Sequence, residues 1–86
     1  MKNRNRTEML ALILEVAGNG NTKTKIMYKA CLSYAQLTEL LAILQQSNLV
    51  EKQKGSRFYR VTEKGKNFLQ NYRRMDGMIV QNMEKS

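Results

Sequence analysis

Hydrophobic residues in the first half of the chain recur at helical spacing in three successive segments, which indicates three helices. The first segment runs from about residue 8 to residue 17, with Thr7 as its predicted N-terminal cap. The sequence Gly18-Asn19-Gly20 follows it and is typical of a helix end. Apolar side chains surround most of this segment, so we expect a central and buried helix.

The second and third helices are separated by a short break. The second is predicted from about residue 23 to residue 31, with Thr22 as its cap. Ser33 and Gln36 then form the S-x-x-Q pattern of a capping box, which predicts a third helix that continues to about residue 46. The inward stripes of these two helices are Ile26, Met27 and Ala30, then Leu37, Leu40, Leu41 and Leu44.

The pattern changes to that of two short strands after residue 48. The runs LVEKQ and RFYRV are joined by Lys54-Gly55-Ser56, which predicts a β-hairpin. Alternation places Tyr59 and Val61 on one face of the second strand, and Phe58 and Arg60 on the other.

A fourth helix is predicted after the hairpin, capped by Thr62 and able to reach Glu84. Gly65 and Gly77 each weaken a helix by about 1 kcal/mol relative to alanine. The pair Asp76-Gly77 can also end the helix, so its length stays open at this point.

Positive charge is concentrated in two blocks of the chain, whose formal net charge is +8 over 86 residues. Residues 1–32 carry six Lys or Arg against two Glu, and residues 49–66 carry the same numbers. Residues 33–48, which contain the third helix, carry only Glu39. A nearly neutral helix flanked by basic segments favours nucleic acid as the partner, while the alternative is a solvated surface.

Helix, helix, tight turn, helix, hairpin and helix is the element order of a winged helix-turn-helix, a mainly α fold of the α+β class. The chain is long enough for one domain with a modest core. We expect a winged helix DNA-binding domain over residues 1–66. Residues 67–86 are expected to form a C-terminal helix that is partly core and partly dimer interface.

Two groups of residues are candidates for DNA contact in such a fold. The phosphate contacts are assigned to Lys23, Lys25, Lys29, Lys52, Lys54, Arg57 and Arg60. The outward row of the third helix, opposite the leucines, is predicted to be Ala35, Thr38, Glu39, Ala42 and Gln46. Thr38, Glu39 and Gln46 can bond base edges, although a plain solvent face is an equally good interpretation of this row. Tyr34 is expected to be half-buried, with its hydroxyl available to a phosphate.

The fourth helix carries an apolar seam at spacings of four and three residues. Its members are Phe68, Tyr72, Met75, Ile79 and Met83. The first half of the seam can complete the core of its own chain, whereas the second half has little to cover it in a monomer. A homodimer through this helix is therefore predicted.

Three segments of the chain resemble the small archaeal winged helix-turn-helix DNA-binding proteins: KTKIMYKACLSYAQLTELLAIL, NLVEK and FYRVTEKGKNFL. Among these proteins are the ten-a type chromatin proteins, whose C-terminal helix pairs as an antiparallel coiled coil. The resemblance covers roughly residues 7–72, and TKIMYKA-x-LSY-x-QL and Y-x-V-T-E-K-G-K are its most specific parts. It implies DNA binding as a homodimer, either regulatory or independent of sequence.

Several classes of site are disfavoured by the composition. The chain has no histidine and one cysteine, Cys31, so no zinc or iron site can be composed, and no cofactor is expected. Cys31 is interpreted as a small buried hydrophobe, and the single thiol fits a reducing cytosol. No nucleotide loop, nucleophile motif or acid–base pair is recognisable, so an enzyme is not expected. The sequence carries neither a signal peptide pattern nor an apolar run that spans a bilayer.

The sequence therefore predicts a cytoplasmic, nucleoid-associated protein that binds double-stranded DNA, and a transcription regulator is the favoured role. An architectural chromatin protein without sequence preference is the first alternative. A protein-interaction module on a winged helix scaffold is the second.

Overall fold

The computed structural model describes the backbone of residues 5–85 and the side chains of residues 5–75. Within this range the helices and strands are α1 (Arg6–Ala17), β1 (Asn21–Thr22), α2 (Lys23–Ala30), α3 (Tyr34–Gln46), β2 (Val50–Lys52), β3 (Phe58–Val61) and α4 (Glu63–Lys85). The predicted order of helices and hairpin is confirmed, and the fold is a mainly helical winged helix. No helix in the described part is both long and apolar enough to cross a bilayer.

Helix α1 begins earlier than the sequence indicated, because Asn5 and not Thr7 is its cap. The Asn5 side chain accepts a hydrogen bond from the backbone N–H of Glu8 at 2.7 Å. Asparagine is among the strongest capping residues, so it outcompetes the threonine two positions later. Gly18 ends the helix with a φ of 49°, as predicted from the glycine-rich segment.

The caps of α2 and α3 are those that the sequence predicted. The Thr22 hydroxyl accepts from the backbone N–H of Lys25 at 3.2 Å. Ser33 and Gln36 form a reciprocal capping box, with distances of 3.1 and 3.0 Å. Between the two helices, Cys31 has a left-handed backbone with a φ of 55° and its side chain is exposed. The expectation of a buried Cys31 is therefore wrong, because this residue forms the turn and does not extend the inner stripe of α2.

The hairpin is part of a three-stranded antiparallel sheet within the described residues, in the order β1-β3-β2. Val50 pairs with Val61, and Lys52 with Tyr59. Strand β1 was not predicted, because two residues are too few to show alternation. Its residues Asn21 and Thr22 pair with Tyr59 and Phe58. This pairing brings the start of α2 beside the hairpin.

The core lies between α1, the inner faces of α2 and α3, and the hairpin. Ile13 and Leu14 of α1 are fully buried, which confirms its central position. The other buried apolar residues include Ile26, Ala30, Leu37, Leu40, Leu41, Leu44, Val50, Val61 and Leu69. The predicted inward stripes of α2 and α3 are confirmed, with Met27 partly buried at the edge of the cluster.

Gly65 allows α4 to start in direct contact with the base of the hairpin. A Cβ atom at this position would lie 2.2 Å from the carbonyl oxygen of Leu49 and 2.6 Å from Cγ2 of Val61. Thr62 caps the helix as predicted, accepting from the backbone N–H of Gly65 at 3.0 Å. Helix α4 then continues through Gly77 to Lys85, so the pair Asp76-Gly77 does not end it.

Candidate nucleic-acid interface

A cleft of about 330 Å³ lies between the start of α2 and the hairpin. It is lined by Thr22, Lys23, Thr24, Lys52, Arg57 and Tyr59. The pairing of β1 with β3 brings Thr22 next to the hairpin, and the register of β2 with β3 sets Lys52 opposite Tyr59. Cations that are far apart in sequence, on α2 and on the hairpin, thus line one concave surface.

Lys23 connects this cleft to the start of α3. Its Nζ atom lies 4.3 Å from the centroid of the Tyr34 ring, within the range of a cation–π interaction. Tyr34 is 64% exposed, so the expectation of a half-buried side chain is wrong. As the first residue of α3, it stands outside the leucine stripe that packs on the core.

The remaining predicted cations of α2 and the hairpin are exposed at the surface. Lys25 and Lys29 lie on the outer face of α2, and Lys54 lies in the hairpin loop. Tyr28, on the same face of α2, is 74% exposed and was missed by the sequence analysis. Its position opposite Ile26 on a helical wheel was the available signal.

Six of the predicted phosphate contacts form no ion pair with a carboxylate in the described part of the chain. They are Lys23, Lys25, Lys29, Lys52, Lys54 and Arg57. Their positive charge is therefore not offset by a neighbouring acidic side chain.

Arg60 differs from these six, because it forms an ion pair with Glu51 on the neighbouring strand. Its Nε atom donates to Oε1 of Glu51 at 3.1 Å, and its Nη2 atom contacts the same oxygen. Both side chains are about half exposed. The pair reduces the field that Arg60 presents, so Arg60 is a weaker candidate than the sequence suggested.

The outward row of α3 is exposed along its whole length, as predicted. Its members are Ala35, Thr38, Glu39, Ala42 and Gln46. Glu39 has a partner that the sequence did not reveal, since its Oε1 atom lies 3.5 Å from Nη2 of Arg6 on α1. The rest of the row is small or neutral, which leaves the backbone of α3 accessible to a large partner.

The predicted dimer seam begins inside the domain and continues beyond it. Phe68 and Tyr72 are partly buried against the core, with ring centroids 6.5 Å apart and nearly parallel planes. Met75 is 62% exposed. Together with the first turn of α1, these three side chains line an open groove of about 430 Å³. The side chains of Ile79 and Met83 lie outside the described residues.

No group of histidine, cysteine and carboxylate side chains in the described part of the chain could hold a metal ion. The arrangement offers lysine, arginine and hydroxyl donors on a concave surface beside the exposed face of α3. Such a surface suits a large polyanion.

Comparison with known proteins agrees with this fold. A family model described as winged helix-turn-helix matches residues 3–80. Sso10a-2, a DNA-binding protein from Sulfolobus solfataricus, superposes with a TM-score of 0.77 and 23% identity, covering 95% of this chain and 92% of that one. No curated protein matches the chain in sequence.

A second similar structure is ZitR from Lactococcus lactis. Its wild-type form superposes with a TM-score of 0.67 and 19% identity over 98% of this chain. ZitR in complex with DNA gives a TM-score of 0.67 and 18% identity. The chain spans about 60% of the length of ZitR. With nearly the whole chain matched by the family model, this protein belongs to the winged helix-turn-helix family.

Proposed function

We propose that the protein binds double-stranded DNA through α2, α3 and the hairpin. One observation carries this proposal: six cations on α2 and the hairpin have no carboxylate partner in the described residues, and Lys23, Lys52 and Arg57 share one cleft. Two similar folds support it, since Sso10a-2 is a DNA-binding protein and ZitR was solved in complex with DNA.

In the proposed complex, α3 faces the major groove while its neighbours hold the two phosphate strands. Lys25 and Lys29 contact phosphates on the α2 side, and Lys52, Lys54 and Arg57 contact them on the hairpin side. The loop Gly55-Ser56-Arg57 approaches the adjacent minor groove, whose negative potential attracts basic residues. Arg60 makes a weaker contribution, because Glu51 offsets its charge.

Base contacts are assigned to the outward row of α3. Thr38 and Gln46 can bond base edges, and Glu39 can accept from the cytosine amino group. Ala35 and Ala42 permit close approach of the helix backbone. Tyr34 is exposed at the beginning of this helix, so its hydroxyl can donate a hydrogen bond to a phosphate oxygen.

The protein is further proposed to act as a homodimer through α4. Met75 is largely exposed on the protomer, and the seam continues in sequence to Ile79 and Met83. Exposed apolar patches of this kind mark interfaces. A second copy of α4, laid antiparallel, would cover the groove beside Phe68 and Tyr72 and carry two winged helices on one duplex.

Transcription regulation in the nucleoid is the role that we favour, because Thr38 and Gln46 give α3 groups that can discriminate bases. An architectural chromatin protein is the alternative within DNA binding, supported by the absence of any cation along α3. The apolar groove beside Met75 supports the other alternative, a module that binds a protein partner.

A salt titration of DNA binding by the full chain tests the proposed function. Fluorescence anisotropy with a random duplex and with duplexes enriched by selection gives the affinity and its salt dependence. For a dimer with several phosphate contacts per protomer, affinity should fall by about a thousandfold or more between about 50 and 200 mM salt. A preference for the selected duplexes at constant salt slope indicates a regulator, and equal affinities indicate an architectural protein.

The matched control for this titration is Lys64→Ala, which removes a lysine of α4 outside the proposed interface. Its affinity should stay close to that of the unmodified chain. Binding that is undetectable at about 50 mM salt would contradict the proposed function, and monomeric behaviour in addition would favour the protein-interaction module.

A further inference from the structure

We propose that the cleft between α2 and the hairpin is a discrete phosphate site, in which Lys23, Lys52 and Arg57 hold one phosphate group together. This inference rests on the proposed DNA binding for the source of the phosphate, a single unit of the DNA backbone. The same three cations would bind any phosphate monoanion or dianion.

The cleft is a half-open concavity that is large enough for a single anionic group. Its volume is about 330 Å³, and a water molecule takes about 30 Å³ in the liquid. A phosphate with several waters therefore fits. Its lining comes from β1, α2, β2, β3 and the loop before β3, so a group inside it contacts the helix-turn-helix and the hairpin together.

The donors that line the cleft are available to a ligand. Lys23, Lys52 and Arg57 have no ion pair with a carboxylate of the described residues. The hydroxyl groups of Thr24 and Tyr59 also have no hydrogen-bond partner in that part of the chain. Both hydroxyl groups can therefore donate a hydrogen bond to an anion in the cleft.

The like charges in the cleft give a second reason to expect an anion there. Three cations that line one concave surface repel one another. A bound phosphate attracts each of them, and this attraction offsets the repulsion. Lys23 is already held over the ring of Tyr34 at 4.3 Å, which restricts where its ammonium group can lie.

In DNA binding, the three cations would then contact one shared phosphate and not three separate phosphates. The bound phosphate would tie Lys52 and Arg57 of the hairpin to Lys23 of α2, and so fix the hairpin relative to α3. Contributions of the three residues should then be strongly coupled, as is usual for residues that share a partner.

The first experiment measures this coupling in duplex binding. Alanine replacement of Lys23, Lys52 or Arg57 should each weaken binding about tenfold, the effect of losing one charge-assisted contact. The triple variant should lose about 0.9 of the salt slope per protomer, the value for one phosphate. Three separate phosphates would instead lower it by about 2.7, and that result would overturn the proposal. The pair Lys29→Ala and Lys54→Ala, on separate elements, should give additive losses and serves as the reference.

The second experiment tests the cleft without DNA, so that it stays informative if the proposed function fails. Inorganic phosphate is titrated into the full chain at constant ionic strength, with amide shifts followed by NMR. We expect saturable shifts confined to the residues that line the cleft, among them Thr24, Lys52 and Tyr59, lost in the Lys23→Ala and Arg57→Ala variants and kept in Lys64→Ala. Shifts that do not saturate, or that are equally large at Lys29 and Lys54, would show only diffuse ion binding and would overturn the discrete site.

Discussion

Arg60 and Glu51 are direct partners in the β2–β3 ladder, and their side chains form an ion pair on the exposed face of the hairpin. Arg57, three residues earlier on the same hairpin, lines the cleft without any carboxylate partner in the described residues. Two arginines that look equivalent in the sequence are thus electrostatically different.

The first prediction follows from this difference. Arg57→Ala should weaken binding to all duplexes and make the salt slope shallower by less than about 0.9, because one of the three cations at a shared phosphate is lost. Arg60→Ala should have a smaller effect on both, since its charge is already offset by Glu51. Affinities of both variants, measured at several salt concentrations, give the comparison.

Glu51→Gln is the matched control for this pair. It removes the negative charge and leaves Arg60 unpaired, so affinity for random DNA should rise. An equal loss for Arg57→Ala and Arg60→Ala would show that the ion pair does not govern the contribution of Arg60. No loss in either variant would remove the hairpin from the interface.

The second prediction concerns Glu39 on the outward row of α3. Glu39→Lys should raise the affinity for random duplex, because a repulsive carboxylate is replaced by a phosphate partner, and should steepen the salt slope by about 0.9. Glu39→Gln separates two effects, since it removes the repulsion and frees Arg6 without adding a cation. Both variants are measured against random DNA by anisotropy.

The outcome for Glu39 tests the orientation of α3. The ion pair with Arg6 is exposed, so its loss should change the stability by less than about 1 kcal/mol. Unchanged or reduced affinity in Glu39→Lys, with the fold intact, would mean that this row does not face the duplex.

The third prediction concerns Gly65. Gly65→Ala should lower the free energy of unfolding by about 1–3 kcal/mol, although alanine is the better helix former, because its Cβ atom would meet the Leu49 carbonyl at 2.2 Å. At about 4–8 °C per kcal/mol for a domain of this size, calorimetry resolves the loss.

Gly77→Ala provides the contrast on the same helix. Helix α4 is continuous there, so this replacement should increase stability by up to about 1 kcal/mol. A neutral or stabilising Gly65→Ala would show that the hairpin base can move away from α4 at little cost.

Local rules predicted most of the fold, because the elements here are set by residues close in sequence. The capping box of Ser33 and Gln36 and the leucine stripe of α3 need only their own segment to form. The same applies to the ending of α1 at Gly18. Asn5 was missed because two good capping residues compete within three positions.

Features that depend on tertiary contact could not be predicted from the sequence. Strand β1 exists only through its pairing with β3. Gly65 weakens a helix by its intrinsic propensity, and only the structure shows that the Leu49 carbonyl lies too close for a larger residue. The ion pairs of Arg60 with Glu51 and of Arg6 with Glu39 join residues that are 9 and 33 positions apart. The basic residues of the proposed interface were chosen from the sequence, but only the structure shows which of them form ion pairs.

The last prediction concerns the dimer. Met75 is 62% exposed on the protomer, so Met75→Lys should leave the fold intact while placing a charge in the proposed seam. Sedimentation at micromolar concentration should give the mass of two chains for the unmodified protein and a shift towards the 10.0 kDa monomer for the variant. Truncation before Met75 should have the same effect.

The effect of Met75→Lys on DNA affinity shows whether the seam joins two DNA-binding protomers or only packs within one chain. A dimer joins two sets of phosphate contacts, and the second set gains effective concentration, so Met75→Lys should weaken duplex binding even though it adds a positive charge. Gln70→Lys, which adds the same charge on the opposite side of α4, should leave the mass of two chains unchanged. The 23 residues of α4 span about 35 Å, which is close to the length of one turn of DNA. An antiparallel pair of these helices can therefore hold the two winged helix domains about one helical turn apart on the duplex. A clean monomer for the unmodified chain would contradict this arrangement, and DNA binding would then rest on the single set of contacts around Lys23, Lys52 and Arg57.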